Sequence, residues 1–269
     1  MAMTLLQAQG LAKSYSQGGM FGGGAARPVL AGVDMDLGAG QCLGLVGRSG
    51  CGKSTLGRLL LGLERPDTGT VRYKGRDIHS LGRSDWRQYR RNVQVVFQNC
   101  HGAVNPRLTI GETIGEPLAN FDRAGRRQRR LRTGELLERV GLSAAFADKR
   151  PGQLSGGQLQ RACIARAMAP SPEVLILDEA VSSLDMLAQA QVMALLSELG
   201  RESGVSCLFI SHDLRVVARL CDEAAVMRDG RIMERAACRD GKFDLADAGF
   251  AELAKALLPS RPGGCPPCP

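Results

Sequence analysis

Gly47-Arg48-Ser49-Gly50-Cys51-Gly52-Lys53-Ser54 follows without a gap on the apolar run Cys42–Val46 and leads into a helical pattern from Lys53 to Leu61. A nearly continuous apolar run of this length reads as a strand buried on both faces. The spacing G-x-x-x-x-G-K-[ST] between such a strand and a helix is that of a phosphate-binding loop. Glycines let successive backbone N–H groups turn inward around a polyphosphate, where a Cβ would obstruct them. The helix N-terminus adds a partial positive charge. Lys53 is placed to reach the β and γ phosphates, and the Ser54 hydroxyl to ligate Mg²⁺. The alternative is a glycine turn ahead of a purely structural helix.

Further along, Val174–Leu177 is a second apolar run, closed by Asp178 and Glu179. Two acids after a strand, taken alone, read as a charge effect at a helix start. Joined to a phosphate loop they read differently, because a carboxylate at the C-terminal end of a parallel strand faces the ligand crevice. Asp178 then holds Mg²⁺ opposite Ser54, and Glu179 is left to polarise the water that attacks the γ phosphate. Leu154-Ser155-Gly156-Gly157-Gln158 precedes a helical pattern that runs to Met168. Ser155 is a plain N-cap on one reading and part of a second phosphate cradle on another. Two cradles on opposite lobes of one subunit cannot hold one nucleotide. A dimer, in which each subunit's second cradle covers the other's γ phosphate, reconciles them.

Around these motifs, strands alternate with helices, which argues for an α/β core. Short strands are expected at 33–37, 70–75, 93–97 and 206–210, and helices at 186–201 and from Leu214. Asp229-Gly230 between Val226 and Ile232 reads as a hairpin turn. Residues 99–160 form a helical insertion, Arg-rich over 109–140 and punctuated by Pro117 and Gly125. Gly18–Gly24 reads as an exposed loop, and Pro262–Pro269 as a loose tail.

The chain has 269 residues, 44% hydrophobic and 23% charged, values that exclude disorder over most of its length, collagen-like repeats and a small disulfide scaffold. No run approaches the length of a transmembrane helix, and residues 1–10 lack the pattern of a secretory signal. Nine scattered cysteines read as buried thiols in a reducing compartment. The net charge is +8, carried by arginine, with six arginines between Arg123 and Arg132 and others at Arg83, Arg87, Arg90 and Arg91. Nucleic acid or an anionic membrane surface attracts such patches. No aromatic residues interleave with 123–132 to stack bases, and a solvated helix face is the simpler account of the run.

Over residues 4–235 the chain resembles the ATP-binding subunits of ABC transporters. The resemblance implies a P-loop NTPase, RecA-like core with an antiparallel β part, as a domain over 1–235 with the helical subdomain inserted at about 99–160, followed by a short tail over 236–269. It implies ATP and Mg²⁺ as the bound groups and ATP hydrolysis coupled to transport. Tyr15 stands where these proteins stack a ring on adenine. Nucleotide contacts are implied for Gly47, Arg48, Ser49, Gly50, Cys51, Gly52, Lys53, Ser54 and Thr55. They are also implied for the signature residues Ser155, Gly157 and Gln158. Gln98 matches the glutamine that senses Mg²⁺ and the attacking water. Ser183-Leu184-Asp185 matches the loop that communicates across the dimer. His212, at a strand end and followed by Asp213, matches the switch histidine; His79 and His101 read as surface residues.

Finer likenesses run through Gln98-Asn99, Ala103-Val104-Asn105-Pro106-Arg107, Glu116-Pro117 and Asp178-Glu179-Ala180-Val181-Ser182, which resemble the peptide and nickel importer branch. Arg48-Ser49-Gly50-Cys51, Lys149-Arg150-Pro151 and Cys207-Leu208-Phe209-Ile210 are most similar to the second ATPase subunit of nickel importers. Nickel or a similar metal chelate and di- or oligopeptides are both open as cargo. Asn99 stands where many relatives have Asp. Cys265 and Cys268 close the tail and Cys238 lies 27 residues before Cys265, fewer than the four thiolates an iron–sulfur cluster takes. The implied partners are a second ATPase subunit, a related chain or a copy of this one, two integral membrane permeases and, indirectly, an extracytoplasmic solute-binding protein. The implied location is the cytoplasmic face of the inner membrane, with no nucleic acid bound. A soluble ATPase acting on nucleic acid or ribosomes usually carries two modules or a long coiled coil, and this chain has neither. A degenerate, non-catalytic subunit is disfavoured by the presence of Lys53, Asp178, Glu179 and His212.

Overall fold

The computed structural model describes residues 4–16, 26–182, 184–239 and 241–243. The Gly18–Gly24 stretch, Ser183 of the cross-dimer loop, and residues 244–269 with Cys265 and Cys268 lie outside the described residues.

Two strands open the chain, β1 (Thr4–Ser16) and β2 (Ala26–Gly38), followed by β3 (Cys42–Val46) and helix α1 (Lys53–Leu60). Next come β4 (Thr68–Tyr73), β5 (Arg76–Asp77), α2 (Arg83–Asn92) and β6 (Val93–Val96). A helical stretch follows, with α3 (Cys100–Ala103), α4 (Ile110–Asp122), α5 (Arg126–Arg139) and α6 (Gly156–Met168). The chain then alternates through β7 (Val174–Asp178), α7 (Met186–Ser203), β8 (Ser206–Ser211) and α8 (Leu214–Leu220). It closes with β9 (Glu223–Arg228), β10 (Arg231–Arg239) and β11 (Lys242–Phe243), so the sheet continues past residue 235.

A four-stranded antiparallel sheet has the order β2-β1-β4-β5, and a seven-stranded sheet the order β11-β10-β9-β3-β8-β7-β6. In the second sheet β6, β7, β8, β3 and β9 are parallel, and β10 and β11 complete it antiparallel. Strict alternation divides the parallel strands between two cores. Leu43, Leu45, Ile176, Leu208 and Ile210 face one way, onto α1 and the four-stranded sheet. Leu175, Leu177, Cys207, Phe209 and Val226 face the other, onto the helical layer. Each such fully buried side chain contributes about 1.5–3 kcal/mol. Gly44 is required in mid-strand because a Cβ there would lie 2.2 Å from Val217 Cγ1 of α8.

Several expectations from the sequence shift in detail. β1 and β2 are 13 residues each rather than short. Register shifts between Ala8 and Leu11 interrupt their alternation, beside Gly10 and Gly32 at positive φ, so only the stretch 33–37 reads as a strand. Pro117 does not break the insertion but lies buried inside α4, and the chain turns instead at Arg123, in the left-handed region. The Asp229-Gly230 hairpin forms as read, both residues having positive φ, as a two-residue turn of this type demands. All seven described cysteines are free, four of them buried.

Candidate functional site

Parallel pairing aligns the strand ends. Val46 is level with Ser211, Asp178 with Ile210, and Val96 with Leu177. The residues that follow β3, β6, β7 and β8 therefore emerge at one edge of the sheet. This register alone brings together the 47–54 loop, Gln98, Asp178 with Glu179, and His212, segments up to 165 positions apart in the sequence.

The loop is held by its neighbours on both sides. Gly230 N–H donates to the Cys51 carbonyl at 3.1 Å, and Ala31 N–H to the Gly230 carbonyl at 2.9 Å. A Cβ on Gly47 would stand 2.4 Å from the Met227 carbonyl oxygen, and one on Gly52, at φ 111°, 2.8 Å from that of Val29. Lys53 is buried, only 4% exposed. Its ammonium donates to the carbonyls of Gly47 at 2.8 Å and Arg48 at 3.0 Å. Helix α1 starts at Gly52 with no side-chain cap and no acid in its first turn. Its leading N–H groups are thus directed at the loop. Burial pushes the Cys51 thiol up, against the opposing pull of Lys53, which keeps it neutral and adds no negative charge to an anion-accepting loop.

Ser54 Oγ donates to Asp178 Oδ1 at 3.2 Å. Burial also pushes the Asp178 carboxyl above its ordinary range, and Glu179 adds to this, while Ser54, Arg58 and Lys53 oppose it. Glu179 has φ 49°, in the left-handed region, and its N–H donates to the Ile210 carbonyl at 3.0 Å. The carboxylate lies 3.7 Å from His212 Nδ1, with His212 largely exposed. Gln98 Nε2 donates to Ser182 Oγ at 3.3 Å, and Ser182 Oγ donates to the Glu179 carbonyl at 2.9 Å.

Ser155 caps α6 in a closed box, with Gln158 N–H donating to Ser155 Oγ at 3.3 Å and Ser155 N–H to Gln158 Oε1 at 3.0 Å. Gly157 packs on α7, where an added Cβ would meet Ala188 Cβ at 2.9 Å. Tyr15 is the penultimate residue of β1, half-buried, its hydroxyl donating to Glu64 Oε2 at 2.5 Å and Lys13 standing over its ring. Thr55 is buried within α1. His101 is exposed. His79 is half-buried rather than a surface residue, with Nε2 enclosed and burial pushing its pKa down. Ser182 was legible only as a letter in a motif; its bridging place depends on the approach of two loops.

The ABC transporter family profile matches residues 30–182. A nickel import ATP-binding protein, NikE, of Rhodospirillum rubrum is 48% identical over 261 residues, spanning 96% of this chain and 93% of the relative. The nickel import ATP-binding protein NikE of Escherichia coli K12 is 45% identical over 260 residues, 97% of each chain. Among solved structures, the ATP-binding cassette MJ0796, dimeric in a post-hydrolysis state bound to ADP and Pi, superposes with a TM-score of 0.78 at 28% identity, covering 87% of this chain and 99% of that one. CbiO1 of Clostridium perfringens, part of the ABC transporter complex cbiONQ, gives 0.76 at 27% identity over 93% and 91%. The mixed sheet, the phosphate loop at its centre and these likenesses have one common explanation: the chain belongs to the ABC transporter family, as one of its P-loop ATPase subunits.

Proposed function

We propose that this chain hydrolyses ATP to drive an importer of nickel. The observation that carries the reading is the near-full-length identity of 45–48% to nickel import ATP-binding proteins, borne by a chain in which Lys53, Ser54, Asp178, Glu179, Gln98 and His212 share one sheet edge. The loop 47–55 cradles the phosphates, with Lys53 moving from the Gly47 and Arg48 carbonyls to the β and γ oxygens. Tyr15 stacks on adenine. Glu179 orients the attacking water and takes its proton. His212 donates to the γ phosphate, and Gln98 positions the water from the opposite side.

The donor set also fits Mg²⁺. Ser54 and Asp178 supply hard oxygen ligands 3.2 Å apart, the type this ion prefers. Burial that disfavours a bare Asp178 carboxylate is relieved by a cation beside it. Bound there, Mg²⁺ would neutralise charge on the β and γ oxygens.

The site is completed by a second ATPase subunit, whose Ser155, Gly157 and Gln158 equivalents close over the nucleotide. The helical segment 99–160 serves as an inserted subdomain of an ATPase domain whose sheet runs on past residue 235 to β11 at Phe243. Between that segment and the sheet lies a groove of about 280 Å³, lined by Leu63, Phe97, Pro117, Phe121, Arg90 and Arg166. We assign it to a helix of the permease. Phe97 is exposed there and adjoins Gln98, so docking and the nucleotide site meet at one peptide. Two permeases and an extracytoplasmic binding protein make up the rest of the importer. Among the described residues no helix is long and apolar enough to cross a membrane, and the chain's place is peripheral, on the cytoplasmic face.

Glu179→Gln tests the catalytic part. ATP binding is expected to persist while turnover falls by about 10²–10⁴-fold; full hydrolysis by the variant would remove Glu179 as the base. A deletion strain is expected to lose nickel accumulation and nickel-dependent growth. Intact nickel uptake with lost peptide uptake would replace the cargo.

A further inference from the structure

The hydroxyl of Ser182 makes two hydrogen bonds, donating one and accepting the other. Its single proton goes to the Glu179 carbonyl at 2.9 Å, a group that can only accept. Its oxygen must therefore accept from Gln98, at 3.3 Å, and only the NH₂ end of an amide can donate. This fixes the flip of the Gln98 amide, so that Oε1 is left free as an acceptor. The Glu179 carbonyl receives a second bond from Ser182 N–H at 3.1 Å.

That carbonyl belongs to a strained residue. For a residue with a Cβ, the left-handed backbone costs about 1–2 kcal/mol, and such a conformation persists where its surroundings over-determine it. Glu179, at φ 49°, is held through its N–H by Ile210 and through its carbonyl by Ser182. The backbone so fixed aims the carboxylate to within 3.7 Å of His212 Nδ1. Ser182 itself is exposed, so its hydroxyl adds little to the core and loses little to water when removed.

We infer that Ser182 is a positioning residue that ties the Gln98 amide to the strained backbone of Glu179, setting the orientation of both groups toward the nucleotide. The inference rests on Glu179 and Gln98 serving as proposed above. Gln98 adjoins Phe97 at the groove wall, so a displacement there reaches the Glu179 peptide through one hydroxyl.

The test uses the assembled ATPase with its partner subunits. Ser182→Ala is expected to lower kcat about ten- to a hundredfold, with KM for ATP within about twofold and the melting temperature unchanged. Ser182→Thr, which keeps the hydroxyl, is expected to restore most of the rate. Gln98→Ala combined with Ser182→Ala is expected to be no slower than the slower single variant, because both act through one link. A kcat for Ser182→Ala within twofold of the parent, no rescue by Thr, or effects that multiply in the double variant would overturn the inference. Glu179→Gln measured in parallel separates the causes. If it loses turnover while Ser182→Ala does not, the link alone is wrong; if it retains turnover, the base assignment fails and the link goes with it.

Discussion

Two glycine-bearing helix starts in this chain are finished to different degrees. The start of α1 has no side-chain cap, lies beneath a loop locked by Gly230 and Met227, and carries a buried lysine at its first position. The start of α6 is sealed by its own side chains, Ser155 and Gln158 closing a reciprocal box, and Ser155 and Gly156 are exposed. Orphan N–H groups at α1 await an anion. At α6 one such donor is already satisfied by the Ser155 oxygen, while the hydroxyl proton is left to donate outward. On the proposed reading, the first start is a half-site that one chain builds alone, and the second acquires a ligand only when another subunit brings one.

The two helix starts differ most at the α1 end. Gly47→Ala places a Cβ 2.4 Å from the Met227 carbonyl oxygen, a backbone atom that cannot step aside. Nucleotide affinity is expected to fall more than a hundredfold, with about 1–3 kcal/mol lost from stability. Gly50→Ala is the control within the same loop. Nothing lies within 4 Å of its Cβ, and only the positive φ of 80° is strained, at about 1–2 kcal/mol. Titration calorimetry with a non-hydrolysable ATP analogue and thermal melts should rank Gly47→Ala well below Gly50→Ala. Equal affinities would show that the loop is not the phosphate cradle.

At the α6 end the two functions of Ser155 separate. Ser155→Ala removes the cap and should cost about 1 kcal/mol of stability. The isolated chain is expected to bind nucleotide within twofold of the parent, whereas turnover of the assembled ATPase falls more than tenfold. A matching drop in affinity for the isolated chain would place both helix starts in one subunit's site. That would erase the contrast.

The motifs at these two helix starts were legible because each is contiguous. Cys42 to Ser54 carries strand, loop and helix in one stretch, and Asp229-Gly230 carries its own turn. Asp178 and His212 were legible because apolar runs end at them, and parallel register does the rest. What escaped the sequence depends on approach between distant segments. Nothing local announces that Glu179 adopts a positive φ; the Ile210 carbonyl, 31 positions away, holds it there. The bridge from Gln98 to Ser182 spans 84 positions. The length of β1 and β2 was hidden by register shifts that break the alternation a strand is read from.

A smaller effect sharpens the account of the α1 half-site through pH. Burial, together with Glu179, raises the Asp178 carboxyl above its unfolded value of 3.8. The folded chain then binds this proton more tightly than the unfolded one, so stability is lost as pH rises from the unfolded value through the raised folded one. Asp178→Asn removes that dependence. In nucleotide-free melts the parent minus variant difference in melting temperature should therefore decline as pH climbs from the acid side. A difference that grows with pH would mean that the carboxylate is stabilised in the empty site.

The smallest effects belong to the arginine run, which the sequence left open between a solvated face and an anionic surface. The structure divides it. Arg132 and Arg91 close on Asp122 at 2.7 and 2.8 Å, and Asp122 is only 14% exposed. Arg130 stands 4.0 Å from Asp148 with both side chains more than 80% exposed, a geometry that contributes next to nothing. Arg132→Gln should therefore lower stability by up to about 1 kcal/mol, since it leaves a largely enclosed carboxylate with one partner in place of two. Replacing Arg126, Arg127, Arg129 and Arg130 together by Gln should leave the melt unchanged, because none of them closes such a cage. The quadruple variant then isolates charge from fold. Reduced transport with an intact melt and intact ATPase rate would assign this face of α5 to lipid head groups, and unchanged transport would assign it to water.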